Sequence, residues 1–305
     1  MEVQRRPTAI DLFAGAGGLS LGFEQAGFDI VAAVEHDPVH AAIHKLNFPD
    51  TLVVCDDIRN LSSLSASELR HRLNIDGELD AVVGGPPCQG FSLIGHRLLA
   101  DPRNELVFHY FKIVELLRPR TFLLENVPGM ATGRHQQLLH ELIARFKDIG
   151  YFVREPVRVL NAADYGVPQN RRRLFILGAR EDVRLPGYPP ARYQPKALSK
   201  NGEQSALELS LPSTPSVSDA IFDLPDVEAF EDLYEVDTLR IHLDQASRYA
   251  LLLRSDETDP DDYSVPRSFD RNVLTGCLRA KHTELSRQRF ADTTPGTTEP
   301  VSRFF

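Results

Sequence analysis

"DLFAGAGGLSLGF", Asp11 to Phe23, places Gly15, Gly17 and Gly18 between an apolar run and a segment with helical spacing. Thr8 to Phe13 reads as a strand, so the stretch is a strand, a tight turn and a helix in succession. Glycine lets the backbone turn sharply and approach a ligand closely, and the N-terminus of the following helix favours an anion. A dinucleotide fingerprint would need one more glycine where this chain has Ser20, which turns the reading away from NAD.

The residues on either side of this turn extend the pattern. Up to about residue 180, strand-like apolar runs alternate with helical segments, as in a parallel sheet covered on both faces. The expected strands are Thr8 to Phe13, Ile30 to Val34, Leu52 to Cys55, Leu79 to Val83, Thr121 to Leu124, Phe152 to Leu160 and Arg173 to Leu177. "HQQLLHELIARFKDIG" carries Leu138, Leu139, Leu142, Ile143 and Phe146 on one helical face and stops at Gly150. From about Ala179 the chain becomes rich in proline and polar residues, which interrupts regular structure. The fold class expected is therefore α/β: a doubly wound, mostly parallel sheet over residues 1–180, then a smaller irregular lobe over 181–305. Within that lobe, short helical pieces are expected near Ser218 to Asp223 and Asp244 to Arg254.

Composition narrows the function classes. The 305 residues are 42% hydrophobic and 25% charged, as in a globular protein with a sizeable core. No apolar run approaches the ~18 to 20 residues of a membrane span, and "MEVQRRPTAIDLF" enters the first strand without a signal-peptide core. A cytoplasmic protein with no membrane partner is expected. Cys55, Cys88 and Cys277 are too widely spaced for a disulfide framework or a CxxC metal site. No second ligand stands at metal spacing from His36, so no metal is expected. The formal net charge of -9 is unlike that of a uniformly basic nucleic-acid binder. Binding needs only a local basic surface, however, and "QNRRRLF" supplies one, while "DVEAFEDLYEVD" and "RSDETDPDD" read as solvated loops and helix faces.

Chemistry gathers at the strand ends. Glu35 closes the second strand about 20 residues after the glycine turn, where an acid in such folds bonds ribose hydroxyls. Asp57 in "CDDIRN" closes the third strand in the same way. The strand ending at Val83 delivers "GGPPCQGFS", Gly84 to Ser92, which frames Cys88 between prolines and a glutamine. A structural cysteine needs no such frame, because a free thiol packs as a small hydrophobe, whereas a reactive one must meet its electrophile in a fixed geometry. The strand ending at Leu124 delivers Glu125 in "ENVPGM". A thiol and a carboxyl at neighbouring strand ends can reach one small planar substrate together. "PQNRRRLFILG" presents Gln169, Arg171 and Arg173 before another strand, and in an extended chain Arg171 and Arg173 point to one side and Arg172 to the other.

With these four motifs in this order, the sequence resembles the DNA cytosine-5 methyltransferases of the bacterial restriction-modification type. "DLFAGAGGLSLGF" is similar to the family's cofactor motif, "GGPPCQGFS" to its nucleophile motif, "ENVPGM" to its acid motif and "QNRRRLFILG" to its arginine motif. The resemblance covers most of residues 8 to 180. It implies a Rossmann-like catalytic domain, part of a target-recognition lobe after it, S-adenosylmethionine as methyl donor and double-stranded DNA as partner. It also implies that Cys88 is the nucleophile, that Glu125 bonds or protonates ring nitrogen 3, and that Arg173 and Arg171 hold the cytosine carbonyl oxygen. Gln89, Ser92, Asn126 and Gln169 are expected as supporting substrate contacts. S-adenosylmethionine is expected along Asp11, Phe13, Ala14, Gly15, Gly17, Gly18 and Leu19 and beside Pro86, with its ribose on Glu35 and its adenine near His36, Asp57 and Ile58.

The implied chemistry accounts for the residue types. Carbon 5 of cytosine is a poor nucleophile, but a thiolate adding at carbon 6 turns the ring into an enamine that can attack a sulfonium methyl group. A free thiol has a pKa of about 8.5, so such a cysteine benefits from nearby positive charge. The target base must leave the duplex, at a cost of a few kcal/mol. One rival is the related tRNA-methylating branch, which carries a Cys-Phe-Thr triplet in its second lobe that does not occur here. The other rival is a regulatory relative that binds DNA without catalysis. Members of the family also carry an arginine and threonine-leucine motif and a "GNAVP"-type helix after the recognition lobe. "RQRFADTTPGTTEPVSRFF", Arg287 to Phe305, matches neither, so a truncated or split enzyme needing a complementing C-terminal segment is expected. The target sequence is not legible, because base contacts from irregular loops follow no simple code.

Overall fold

The computed structural model describes residues 5–87, 105–194, 211–241, 246–254, 259–267, 270 and 272–294. Cys88, Gln89 and Ser92 lie outside the described residues. The described chain falls into two compact units, one within Met1–Ser216 and Thr258–Pro266, the other within Val217–Glu257 and Arg267–Phe305. The first unit thus runs past the change of texture near residue 180.

In the first unit, strands and helices alternate as β1 (Thr8–Leu12), α1 (Gly18–Gln25), β2 (Asp29–Glu35), α2 (Pro38–Asn47), β3 (Leu52–Cys55), α3 (Ile58–Ser62), α4 (Ala66–Arg72) and β4 (Ala81–Gly84). They continue as α5 (Glu105–Leu117), β5 (Thr121–Asn126), α6 (Gln136–Asp148), β6 (Tyr151–Val153), β7 (Arg158–Asn161) and β8 (Arg172–Arg180). The sheet order is β3-β2-β1-β4-β5-β8-β6, with β7 also pairing β8. The strands from β3 to β5 are parallel, and β8 runs antiparallel to β5, β6 and β7. The order reverses between β1 and β4, and in open α/β sheets ligands bind outside the carboxyl ends of the strands at that reversal.

The sequence patterns explain the layers. All of β4 is buried, as are Ala9 to Leu12 of β1, because helices cover both sheet faces and the strands read as continuous apolar runs. In α6 the buried face is Leu139, Leu142, Ile143 and Phe146, four of the five residues expected from the helical spacing. Phe146 stacks on Phe122 of β5 with ring centroids 4.0 Å apart, and burying each ring contributes roughly 2 to 3 kcal/mol. Tyr110 of α5 is fully buried and donates from its hydroxyl to the Val82 and Leu123 carbonyls, tying α5 to β4 and β5. Asp37 and Asp57 cap α2 and α3 by accepting from the Val39 and Arg59 amides, so two strand-end carboxylates also start helices.

The single strand expected over Phe152 to Leu160 is two strands. Arg154 to Val157 interrupts it, and Pro156 has no N–H to give a ladder. The two pieces share one partner: β6 pairs with Gly178–Arg180 and β7 with Arg172–Phe175, so β8 is longer than the expected Arg173 to Leu177. No helix among the described residues is long and apolar enough to cross a membrane.

The second unit contains α7 (Val217–Ile221), β9 (Thr238–Arg240), α8 (Arg248–Leu253), β10 (Val273–Thr275) and α9 (Glu284–Asp292). The first helix lies close to the expected Ser218 to Asp223. The second, capped by the Ser247 hydroxyl, starts at Arg248, inside the expected span. β9 and β10 form an antiparallel pair. Arg254 pairs with Asp223, and the Arg279 guanidinium lies 4.4 Å from the centroid of the Tyr234 ring.

Candidate active site

The glycine turn is held from several sides. Gly17 precedes α1 at φ 101°, and a Cβ there would lie 2.1 Å from the Phe48 ring, so both conformation and space require glycine. The Gly17 amide donates to the Ala14 carbonyl at 2.9 Å and closes the turn. The Gly15 amide donates to Glu35 Oε2 at 2.8 Å, while Glu35 Oε1 accepts from the Asp37 amide at 2.9 Å. Glu35 therefore joins the glycine turn to the end of β2, and its oxygens keep lone pairs for further donors. Phe13 has φ 59°, a rare conformation for a bulky residue and one that marks functional sites.

Two clefts share Phe13 and Gly85 as walls. One, of about 340 Å³, lies between Glu35, His36, Asp57 and Ile58, and also touches His40 and Arg59. Asp57 is held below the usual carboxylate range, chiefly by the Arg59 amide and then by the Arg59 guanidinium. The other, of about 490 Å³, is lined by Asp11, Ala14, Gly18 and Leu19 on one side and by Glu125, Arg171 and Arg173 on the other. Asp11 is 1% exposed; its Oδ2 accepts from the Ser20 amide and hydroxyl, and its Oδ1 has no partner among the described residues. Burial pushes the Asp11 carboxyl up to about 7, against the two Ser20 hydrogen bonds and with a smaller push from Glu35.

Across the second cleft, Arg173 Nε lies 2.8 Å from Glu125 Oε1. Burial raises the Glu125 pKa, and Arg173 and Arg171 oppose the rise. A carboxyl raised in this way holds its proton to higher pH than a free one does and can give it to a bound acceptor. Gly85 makes room for it, since a Cβ there would sit 2.9 Å from Glu125 Oε2. Arg171 and Arg173 both line the cleft, and Arg172 is not among the described residues that do.

Not every expected site residue reaches a cleft. Gly15 and Gly17 shape the turn without lining either cavity. Pro86 is buried, and its neighbours Gly85 and Pro87 stand at the cleft walls instead. Asn126 is also buried; its side chain accepts from the Val127 amide and donates to the Pro86 carbonyl at 3.5 Å, bracing the segment that leads to Cys88. Gln169 is exposed in the turn before β8, where its backbone bonds Val167 and Arg171. Conversely, Leu160, Tyr165, Phe175 and Pro189 form an apolar wall opposite the glycine turn that sequence reasoning missed. Tyr165 donates to the Pro189 carbonyl at 3.0 Å. Its place in "ADYGVPQNRRR", just ahead of the arginine motif, is the signal that could have found it. No three His, Cys, Asp or Glu side chains gather as a metal site would among the described residues.

Residues 8–291 match the family of C-5 cytosine-specific DNA methylases. The chain belongs to that family. The chain is 50% identical over 300 residues to the Type II methyltransferase M.XorII of Xanthomonas oryzae pv. oryzae, covering 98% of this chain and 65% of the relative. It is 38% identical over 273 residues to the Type II methyltransferase M.AgeI of Thalassovita gelatinovora, covering 85% of this chain and 60% of the relative. The chain thus spans less than two thirds of the length of these relatives. A solved structure described as a DNA modification methyltransferase encoded within an E. coli prophage superposes with a TM-score of 0.66 at 27% identity, covering 97% of this chain and 78% of that one. The mostly parallel, Rossmann-like sheet is the architecture expected of the family.

Proposed function

We propose that the protein transfers a methyl group from S-adenosylmethionine to carbon 5 of a cytosine flipped out of duplex DNA, through a covalent adduct with Cys88. The observation that carries the reading is the Glu125–Arg173 pair facing the glycine turn across one cleft, at the end of β5 beside the strand that leads to Cys88. Family membership and the similarity to Type II methyltransferases support the reaction class and a role in restriction-modification.

The clefts suit the donor. Glu35 offers acceptors for ribose hydroxyls, and Ile58 and His36 offer apolar and ring surface for adenine beside Asp57. The methionine end would cross Phe13 toward Gly18 and Leu19, whose helix-start amides suit its carboxylate, while Asp11 Oδ1 suits its ammonium. S-adenosylmethionine supplies an electrophilic methyl group, and the remaining steps belong to the chain and the base. The Cys88 thiolate forms a bond from Sγ to carbon 6, and the electron pair displaced from the 5,6 double bond passes into the ring. Protonated Glu125 donates at ring nitrogen 3, and Arg173, with Arg171, takes the carbonyl oxygen, so charge developing on the ring meets preorganised donors. After carbon 5 has taken the methyl group it loses its proton to solvent, that electron pair restores the 5,6 double bond, carbon 6 releases Sγ as a thiolate with the electron pair of the C–S bond, and ring nitrogen 3 returns its proton to Glu125.

The test is transfer of labelled methyl from S-adenosylmethionine to mixed-sequence duplex DNA, followed by nucleoside analysis. It is run with the chain alone and with a separately expressed C-terminal segment carrying the family's remaining motifs. 5-Methylcytosine is the expected product; label in adenine, at cytosine N4, or nowhere under either condition rejects the proposal.

A further inference from the structure

The glycine turn has a brace on α2. His44 is fully buried, and its Nδ1 lies 3.2 Å from the Gly15 carbonyl oxygen. A carbonyl can only accept, so the ring carries its proton on Nδ1, which leaves Nε2 as a buried lone pair without a partner among the described residues. One turn further along α2, Asn47 Nδ2 donates to the Ala16 carbonyl at 2.8 Å. Phe48, next in the chain, fills the space that a Gly17 side chain would need and packs its ring 4.8 Å from that of His44. A buried polar ring with one orphan nitrogen is a costly way to fill a core position, where an apolar ring would pack without penalty. Its ring N–H is directed at the turn.

Each contact fixes more than one atom. The peptide unit is planar and trans, so pinning the Gly15 carbonyl sets the direction of the Ala16 N–H, and pinning the Ala16 carbonyl sets that of the Gly17 N–H. That second N–H closes the turn on Ala14, from which Gly18 and Leu19 enter the cleft wall.

We infer that His44 and Asn47 are positioning residues for the methyl donor: they hold the two central carbonyls of the glycine turn and thereby aim its backbone at the cofactor. The inference rests on the assignment of this turn to S-adenosylmethionine. Neither residue needs to touch the donor, and both act through the turn.

The substitution that separates this role from plain core packing is His44→Phe. It keeps a ring of similar size, removes the unpartnered nitrogen and loses only the N–H to Gly15. Folding stability should hold or rise, whereas donor affinity should fall about threefold to tenfold, the worth of one ordered hydrogen bond. Asn47→Ala should give a similar loss. His44→Asn, whose amide can donate from the same distance along the side chain, should recover much of it. In turnover, KM for the donor should rise while kcat at saturating donor stays within about twofold, because the bonds act on binding and not on the methyl transfer itself. The measurements are titration calorimetry with S-adenosylmethionine, urea denaturation, and initial rates on the full chain. Affinity within about twofold of wild type in both His44→Phe and Asn47→Ala overturns the inference, as does a loss of affinity that only tracks a loss of folded protein. A wild type that takes no S-adenosylmethionine overturns the cofactor assignment and this inference together.

Discussion

Replacing Asp11 by Asn should make the protein gain stability on the wild type as pH rises. The carboxyl is 1% exposed, and only Oδ2 has partners, the amide and hydroxyl of Ser20. Burial moves its pKa from 3.8 to about 7. The folded state therefore holds the proton more tightly than the unfolded chain. The stability this group lends is fully present below the unfolded value of 3.8 and is lost as pH rises through about 7. At 1.36 kcal/mol per unit, the wild type should lose roughly 2.5 kcal/mol between pH 5 and pH 8 that an uncharged residue would keep. Asparagine preserves an acceptor for Ser20 and places an amide where Oδ1 was, at a pH-independent cost of about 1 to 3 kcal/mol for the new unpartnered donor. The diagnostic is thus the slope of the stability difference against pH, not its value at any one pH. Urea denaturation of both proteins at pH 5, 6.5 and 8, followed by circular dichroism, measures it. Parallel curves, with a gap constant to within about 0.5 kcal/mol, would refute the assignment of Asp11 as a carboxyl held neutral by burial.

Two further substitutions probe the clefts. Gly17→Ala forces a side chain into the Phe48 ring at 2.1 Å and onto a backbone at φ 101°, so it should cost on the order of 2 to 4 kcal/mol in urea denaturation and weaken donor binding in calorimetry. Arg173→Ala removes the partner 2.8 Å from Glu125 and should lower kcat by on the order of 100-fold to 1000-fold. Arg172→Ala should act mainly by reducing the salt dependence of DNA affinity, and equal rate losses at fixed salt for the two arginines would contradict the strand-face assignment.

The legible parts of this protein are those where one local signal coincides with one physical demand. Glu35 was readable because it ends a strand at the spacing from a glycine turn where a ligand-binding acid belongs, and it bonds the Gly15 amide directly. The strands from β1 to β5 were readable because burial on both faces leaves unbroken apolar runs. The break at Pro156 was missed because apolar residues stand on both sides of it, and only pairing with a single long β8 shows that the run is two strands. His44 and Asn47 look like ordinary polar helix positions, since their contacts arise only when α2 docks against the turn. Leu160, Tyr165, Phe175 and Pro189 carry no shared period because they come from two strands, a short helical turn and a loop, and only the fold brings them to one wall.

Covalent trapping bears most directly on the central claim of methylation through a cysteine adduct. Mixed-sequence duplex DNA in which 5-fluorocytosine replaces cytosine blocks the last step, because carbon 5 then has no proton to lose. With S-adenosylmethionine present, wild-type protein should form a stable protein–DNA adduct in denaturing electrophoresis, and mass spectrometry of its peptides should place the attachment at Cys88. Cys88→Ser should form none, since its hydroxyl is far less ionised than a thiol. An adduct formed by Cys88→Ser, or a wild type that methylates ordinary cytosine yet forms no adduct on the fluorinated base, would contradict the mechanism.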